Sequence, residues 1–142
     1  MHINWLAVVI AALMPMLIGF IYYHPKVLGG AWMRANGFTL ESMGGGPKPM
    51  LYGVALLLSF LLSVWLCGNV TGPGQSVAPD QHSYATFGHG VVHGVVISLL
   101  VLLPVLGTMS IFERRGWNWV FNNLGYWVVT LSVMGGILSA WR

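Results

Sequence analysis

The chain has 142 residues, of which 56% are hydrophobic and only 6% are charged. Soluble globular domains average about 25% charged residues, so this composition excludes an ordinary soluble domain. The six cations stand at the ends of apolar segments rather than in a stripe, which argues against nucleic-acid binding despite a net charge of +3. Cys67 is the only cysteine, so an intrachain disulfide is excluded.

Four apolar segments without Asp, Glu, Lys or Arg follow one another, at residues 3–23, 50–70, 87–106 and 120–141. Each is close to the ~20 residues that a helix needs to cross a bilayer core. The segments lack the strict alternation of a membrane β-strand, and helices are then the structure that satisfies the backbone in lipid. We therefore predict an all-α integral membrane bundle of four transmembrane helices, forming a single membrane domain over residues 1–142.

The first segment has features of a retained membrane span rather than a signal peptide. No cation precedes it, and no cleavage site of small residues follows it. Pro15 lies inside it, where the missing N–H predicts a kink. In the first loop, the run Ala31-Trp32-Met33-Arg34 predicts a short interfacial helix, and a string of Gly and Pro then leads into the second span.

The cations indicate how the bundle is oriented. Five of them lie in the first and third loops, and the second loop carries none. Positive charge favours the cytoplasmic side of a membrane. This rule predicts that the first and third loops are cytoplasmic and that both termini lie outside. The five residues are Lys26, Arg34, Lys48, Arg114 and Arg115.

Histidines form the most unusual local pattern. His89 and His93 are four residues apart and share one face of a helix, with His82 seven residues earlier and His2 predicted at the same membrane interface. Imidazole is a common ligand of zinc, copper and haem iron, and it can relay protons near neutral pH. The pair lacks the nearby carboxylate or thiolate of a complete zinc site. Helix packing is therefore the first interpretation, with a metal or haem site and a proton pathway as alternatives.

A second polar group is expected at the cytoplasmic interface. It combines residues from the end of the first span and the start of the fourth: Tyr23, His24, Asn122, Asn123 and Tyr126. Such residues commonly anchor helices at the interface and bond to loop backbone. Alternatively, Asn122, Asn123 and Tyr126 line a cytoplasmic vestibule.

Small residues four apart predict where helices approach each other closely. Gly90 and Gly94 have this spacing in the third span. In the fourth span, Ser132 and Gly136 have it, and Gly135 extends the same small-residue region. These faces suit packing within one chain or between subunits.

No signature of a membrane enzyme is present. The acidic residues Glu41, Asp80 and Glu113 lie in three different stretches, and the sequence has no nucleophile elbow, P-loop or dinucleotide fingerprint. We therefore expect a non-enzymatic membrane protein without a cofactor, acting as a homo-oligomer or as an accessory to a larger membrane complex. The alternatives are a channel or transporter component with a path between subunits, and a metal- or haem-binding protein.

Both ends of the chain resemble the bacterial domain of unknown function 1761 family. The resemblance lies in MHINWLA (residues 1–7), GFIYYHP (19–25), GAWM (30–33), FERRGW (112–117), NLGYW (123–127) and MGGIL (134–138). It implies a small four-helix bacterial membrane protein, which we expect in the inner membrane. It implies no activity and no catalytic residues, and the pair His89 and His93 is not part of it.

Overall fold

In a computed structural model, which describes residues 3–39, 41–42, 44, 48–71 and 84–141, the chain is built from helices. Two wide π-helical turns, Pro25–Gly29 and Ser98–Leu102, lead directly into the helices that follow them. The described ranges contain no strand, so the all-α prediction is confirmed. The helices are α1 (Trp5–Tyr22), α2 (Gly30–Asn36), α3 (Pro49–Val70), α4 (Phe87–Ile97), α5 (Leu103–Phe112) and α6 (Trp117–Ala140).

Four helical stretches are long and apolar enough to cross a membrane, as predicted: α1, α3, the continuous stretch Phe87–Phe112, and α6. The third stretch continues beyond the predicted end at residue 106. Its proline, Pro104, lies in the first turn of α5, and the wide turn before it accommodates the missing N–H. Helix α6 begins at Trp117 rather than at residue 120, with Gly116 in extended conformation before it.

The first loop contains the short helix that its sequence predicts. A wide turn places Gly29 against the end of α1, where a Cβ on Gly29 would overlap the backbone carbonyl of Tyr23. Helix α2 then ends at Gly37, which has a left-handed φ of 69°. The N–H of Phe38 donates to the carbonyl oxygen of Met33 over 2.9 Å, which closes this helix end. The turn at Thr39 and Ser42 has reciprocal hydrogen bonds, whereas Leu40 lies outside the described residues.

Helix α6 is the centre of the bundle and packs against α1, α3, α4 and α5. Half of its membrane-spanning window is buried, compared with 17% for α3. A hydrogen bond of 2.8 Å from the Ser63 hydroxyl to the Val8 carbonyl joins α3 to α1 inside the core. The core consists of apolar side chains from three helices: Ala7, Val8, Ala11, Leu66, Cys67, Val70, Leu131, Met134 and Leu138.

The backbones of α4 and α6 lie in direct contact. A Cβ on Gly90 would overlap the carbonyl of Gly135, and a Cβ on Gly94 would overlap the carbonyl of Leu131 and come within 2.5 Å of the Ser132 nitrogen. Only glycine leaves room for this approach, which gives the two helices van der Waals contact along their backbones. The structure therefore uses these small residues for packing within one chain. Gly136, one position further, lies against the ring of Phe87.

Candidate functional site

An apolar groove runs between α1, α3 and α6 and encloses about 510 Å³. Its polar groups are few and come from tyrosine and serine. We call it the tyrosine groove, and it is defined by Pro15, Gly19, Tyr23, Tyr52, Ser59 and Tyr126. Ligand pockets in proteins typically measure about 300–1,000 Å³ and are lined by apolar and aromatic side chains with a few polar groups. The groove has both properties.

Tyrosines gather at the end of the groove nearest the first loop. The ring centroid of Tyr126 lies 5.1 Å from that of Tyr23 and 5.7 Å from that of Tyr22. Tyr126 donates its hydroxyl to the Pro15 carbonyl over 2.7 Å, and Tyr22 donates to the Asn122 carbonyl over 2.9 Å. These two bonds connect α1 to α6 at two levels. The ring of Tyr126 is consequently held as a wall of the groove.

The groove has a more polar end and a more apolar end. Tyr23 follows the last residue of α1, and Tyr52 lies in the first turn of α3, so both tyrosines stand at the end near the first loop. Pro15 is eight residues before Tyr23, which corresponds to about 12 Å along a helix. The deeper part is lined mainly by apolar side chains such as Leu58 and Leu62, and its polar groups are Ser59 and the Tyr126 hydroxyl, which is bonded to Pro15. An amphipathic molecule would match this gradient.

A second cavity, of about 540 Å³, lies on another side of α1, between its end, α2 and the start of α6. It mixes polar and apolar side chains. We call it the arginine cavity, and it is defined by Tyr22, Leu28, Arg34, Asn118, Phe121 and Asn122. Tyr22 and Tyr23 therefore belong to different cavities, although they are neighbours in the chain.

The polar residues expected at the cytoplasmic interface are divided by the structure. Tyr23 and Tyr126 meet in the tyrosine groove, and Asn122 lines the arginine cavity. His24 accepts a hydrogen bond of 3.2 Å from the Lys26 backbone N–H and caps the wide turn before α2. Asn123 donates to the Trp119 carbonyl on its own helix over 2.8 Å. Tyr126 and Asn122 thus line different cavities, and the cytoplasmic vestibule stays a prediction.

His89 and His93 stand side by side on α4, with ring centroids 4.5 Å apart. Tyr84 lies next to them, with its ring centroid 5.3 Å from that of His89. His2 and His82 lie outside the described residues. Within the described ranges, no group of three or more His, Cys, Asp and Glu residues is arranged to hold a metal ion. Two imidazoles provide half of a tetrahedral zinc shell, so the metal or haem site stays a prediction.

The structure also reveals a polar contact between the first and third loops. The side-chain oxygen of Asn36 accepts from Arg115 over 3.0 Å and from the Trp119 indole N–H over 3.1 Å. Arg115 also pairs with Glu113, and its guanidinium lies 4.9 Å from the Trp119 ring centroid. Sequence reasoning missed Asn36, because one amide in a loop gives no sign of a partner 79 residues away. It also missed Tyr52, which α3 carries to the groove.

A family model described as "Protein of unknown function (DUF1761)" matches residues 6–139. The match extends over all four membrane-spanning helices and over both cavities. No curated protein and no solved structure matches the chain.

Proposed function

The chain belongs to the DUF1761 family of proteins of unknown function, and we propose that it is a non-enzymatic protein of the bacterial inner membrane that binds a single-chain amphipathic lipid. The observation that carries this proposal is the tyrosine groove, with largely apolar walls along its length and with Tyr23 and Tyr52 at the end near the first loop. The hydrocarbon chain would occupy the part near Pro15 and Leu62. The head group would accept hydrogen bonds from the hydroxyls of Tyr23 and Tyr52.

The rigidity of the groove supports the proposal. The hydroxyl of Tyr126 is bonded to the backbone of α1, and its ring packs against Tyr23 and Trp127 with centroids 5.1 Å away in both cases. A wall that is already ordered loses little conformational freedom when a ligand binds. Gly19 adds space, since it places no side chain between α1 and Tyr126.

Palmitic acid carrying a diazirine tests this proposal in phosphatidylcholine nanodiscs. After irradiation, mass spectrometry should find labelled peptides concentrated at residues 15–23 and 52–62. Unlabelled palmitic acid should compete for this labelling. The reference is the outward face of α4–α5, where Leu100 is 73% exposed. Labelling that depends only on how exposed each side chain is, and that unlabelled palmitic acid does not reduce, would show ordinary contact with bulk lipid. This result would contradict the proposal.

We further propose that the protein forms a homo-oligomer. The support is the thinness of the bundle: only 17% of the spanning windows of α3 and of the α4–α5 stretch is buried within one chain, compared with half of α6. A second copy is expected to cover part of this surface. Native mass spectrometry in a mild detergent should then show multiples of the 15.5 kDa chain that persist on dilution. Monomer at every concentration would contradict the oligomer, and with it the alternative of a channel or transporter path between subunits.

The proposed orientation places both termini on the outer side of the inner membrane. It is supported by the contact of Asn36 with Arg115, because this contact brings the first and third loops to the same end of the bundle. Five of the six cations belong to these two loops. Positive loops are retained in the cytoplasm, so the polar end of the tyrosine groove would lie at the cytoplasmic interface.

A further inference from the structure

The arginine cavity combines one cation with amide groups beside an apolar surface. Arg34 comes from α2, whereas Asn118 and Asn122 come from the first turns of α6, one turn apart. Leu28 and Phe121, which are 39% and 59% exposed, border the same cavity. The site therefore offers charge, hydrogen bonds and an adjoining apolar surface within one space.

Few acidic residues of the chain are available to pair with Arg34. The sequence has six cations and three acids. The one ion pair among the described residues joins Arg115 to Glu113 and does not involve Arg34. A Cβ built on Gly30 would lie 3.6 Å from Nη1 of Arg34, so the guanidinium folds back along α2. This position keeps the cation beside the cavity.

Asn122 adds a second, independent observation. Its backbone carbonyl accepts the Tyr22 hydroxyl, but its side-chain Oδ1 is buried and has no hydrogen-bond partner within the described ranges. Buried polar atoms in native proteins are nearly always paired, and an exception is commonly explained by a ligand or water that the structure does not contain. Oδ1 is a hydrogen-bond acceptor, as phosphate oxygens are, so Asn122 would bond to an anion beside Arg34 through its Nδ2 donor after a rotation that exchanges the two amide atoms.

We infer that the arginine cavity binds a phosphate group, carried by an anionic phospholipid or present as free phosphate. Arginine presents a planar fork of N–H donors that matches phosphate oxygens in bidentate geometry. The amide of Asn118 can donate to a further oxygen. This site is separate from the tyrosine groove and does not depend on the function proposed for it.

The test compares the wild type with Arg34→Gln and with Arg114→Gln, which removes an equal charge from the third loop, outside the residues that define the cavity. Native mass spectrometry from a neutral detergent measures binding of phosphatidylglycerol and of phosphatidylcholine with the same acyl chains. Calorimetry measures binding of inorganic phosphate. We expect the wild type and Arg114→Gln to prefer phosphatidylglycerol, and Arg34→Gln to weaken its binding about tenfold.

The two sources of phosphate give different results. A preference for phosphatidylglycerol that depends on Arg34 identifies a lipid head group, whereas inorganic phosphate binding that depends on Arg34 identifies free phosphate. Equal losses in both arginine variants would reveal a general charge effect and would overturn the site, as would binding that neither variant changes. Palmitic acid labelling of the tyrosine groove should be the same in Arg34→Gln and wild type, so failure of one proposal is distinguishable from failure of the other.

Discussion

Gly90→Ala should strongly destabilise the bundle, whereas Gly88→Ala, two residues away on the same helix, should leave it as stable or slightly more stable. A Cβ on Gly90 would overlap the backbone carbonyl of Gly135, but a Cβ on Gly88 has no atom within 4 Å. Backbone cannot move aside as a flexible side chain can. Helix α4 would have to separate from α6 along its length, at a cost of about 1–3 kcal/mol or more.

The two variants make an informative pair, because alanine favours a helix over glycine by about 1 kcal/mol at either position. This gain should appear in Gly88→Ala and be exceeded by the packing cost in Gly90→Ala. Thermal unfolding in detergent, followed by size-exclusion chromatography, measures the difference in Tm. Gly94→Ala should resemble Gly90→Ala, because its Cβ would overlap the Leu131 carbonyl. Equal Tm values for the variants at positions 88 and 90 would mean that α4 and α6 are not in backbone contact.

The number of helices could be predicted from the sequence, because long uncharged apolar segments have few other solutions in a membrane. Their pairing could not be predicted. The spacing of Gly90 and Gly94 indicates a close contact, but nothing in the sequence shows that Gly135 lies on the other side of it. The end of the third helix at Phe112 was also missed. Pro104 lacks the N–H that a helix interior uses, and the wide turn before it accommodates the gap, so the helix continues to Phe112.

The candidate site could likewise be predicted only in part from the sequence. Tyr23 and Tyr126 were predicted to belong to one polar group from their positions at the ends of two spans, and they meet in the groove. The groove exists because Gly19 has no side chain that would fill it, and its wall is completed by Tyr52 from a third helix. Such a cavity is a property of three packed surfaces. It cannot be predicted from any single segment of the sequence. The hydrogen bond from Tyr126 to Pro15 could not be predicted either, because it joins two helices that are far apart in the chain.

Gly19→Leu should abolish palmitic acid labelling of the tyrosine groove while the protein remains folded. A Cβ on Gly19 would lie 3.8 Å from the ring and the hydroxyl of Tyr126, which is ordinary van der Waals contact. Helix α1 can therefore stay in place. Long side chains on helices point back toward the N-terminus, so the leucine would extend toward Pro15 and fill the space proposed for the hydrocarbon chain.

Gly53→Leu is the matched control for this variant. A Cβ on Gly53 would meet no neighbouring atom within 4 Å, and this glycine lines a different cavity, with Val9 and Leu13. The same substitution there adds an equal volume of apolar side chain without reaching Tyr126. We expect groove labelling to fall at least about tenfold in Gly19→Leu, equivalent to about 1.4 kcal/mol of binding free energy, and to be unchanged in Gly53→Leu.

Stability should separate blocked binding from misfolding. Both leucine variants should unfold within a few degrees of the wild type, because a Cβ at neither position would meet backbone. If Gly19→Leu is folded and still labelled at residues 15–23, the hydrocarbon chain lies outside the groove and the label reports bulk lipid. If labelling disappears only in Gly19→Leu, the space beside Tyr126 is where the ligand binds, and the hydroxyls of Tyr23 and Tyr52 become the positions at which its head group can be identified.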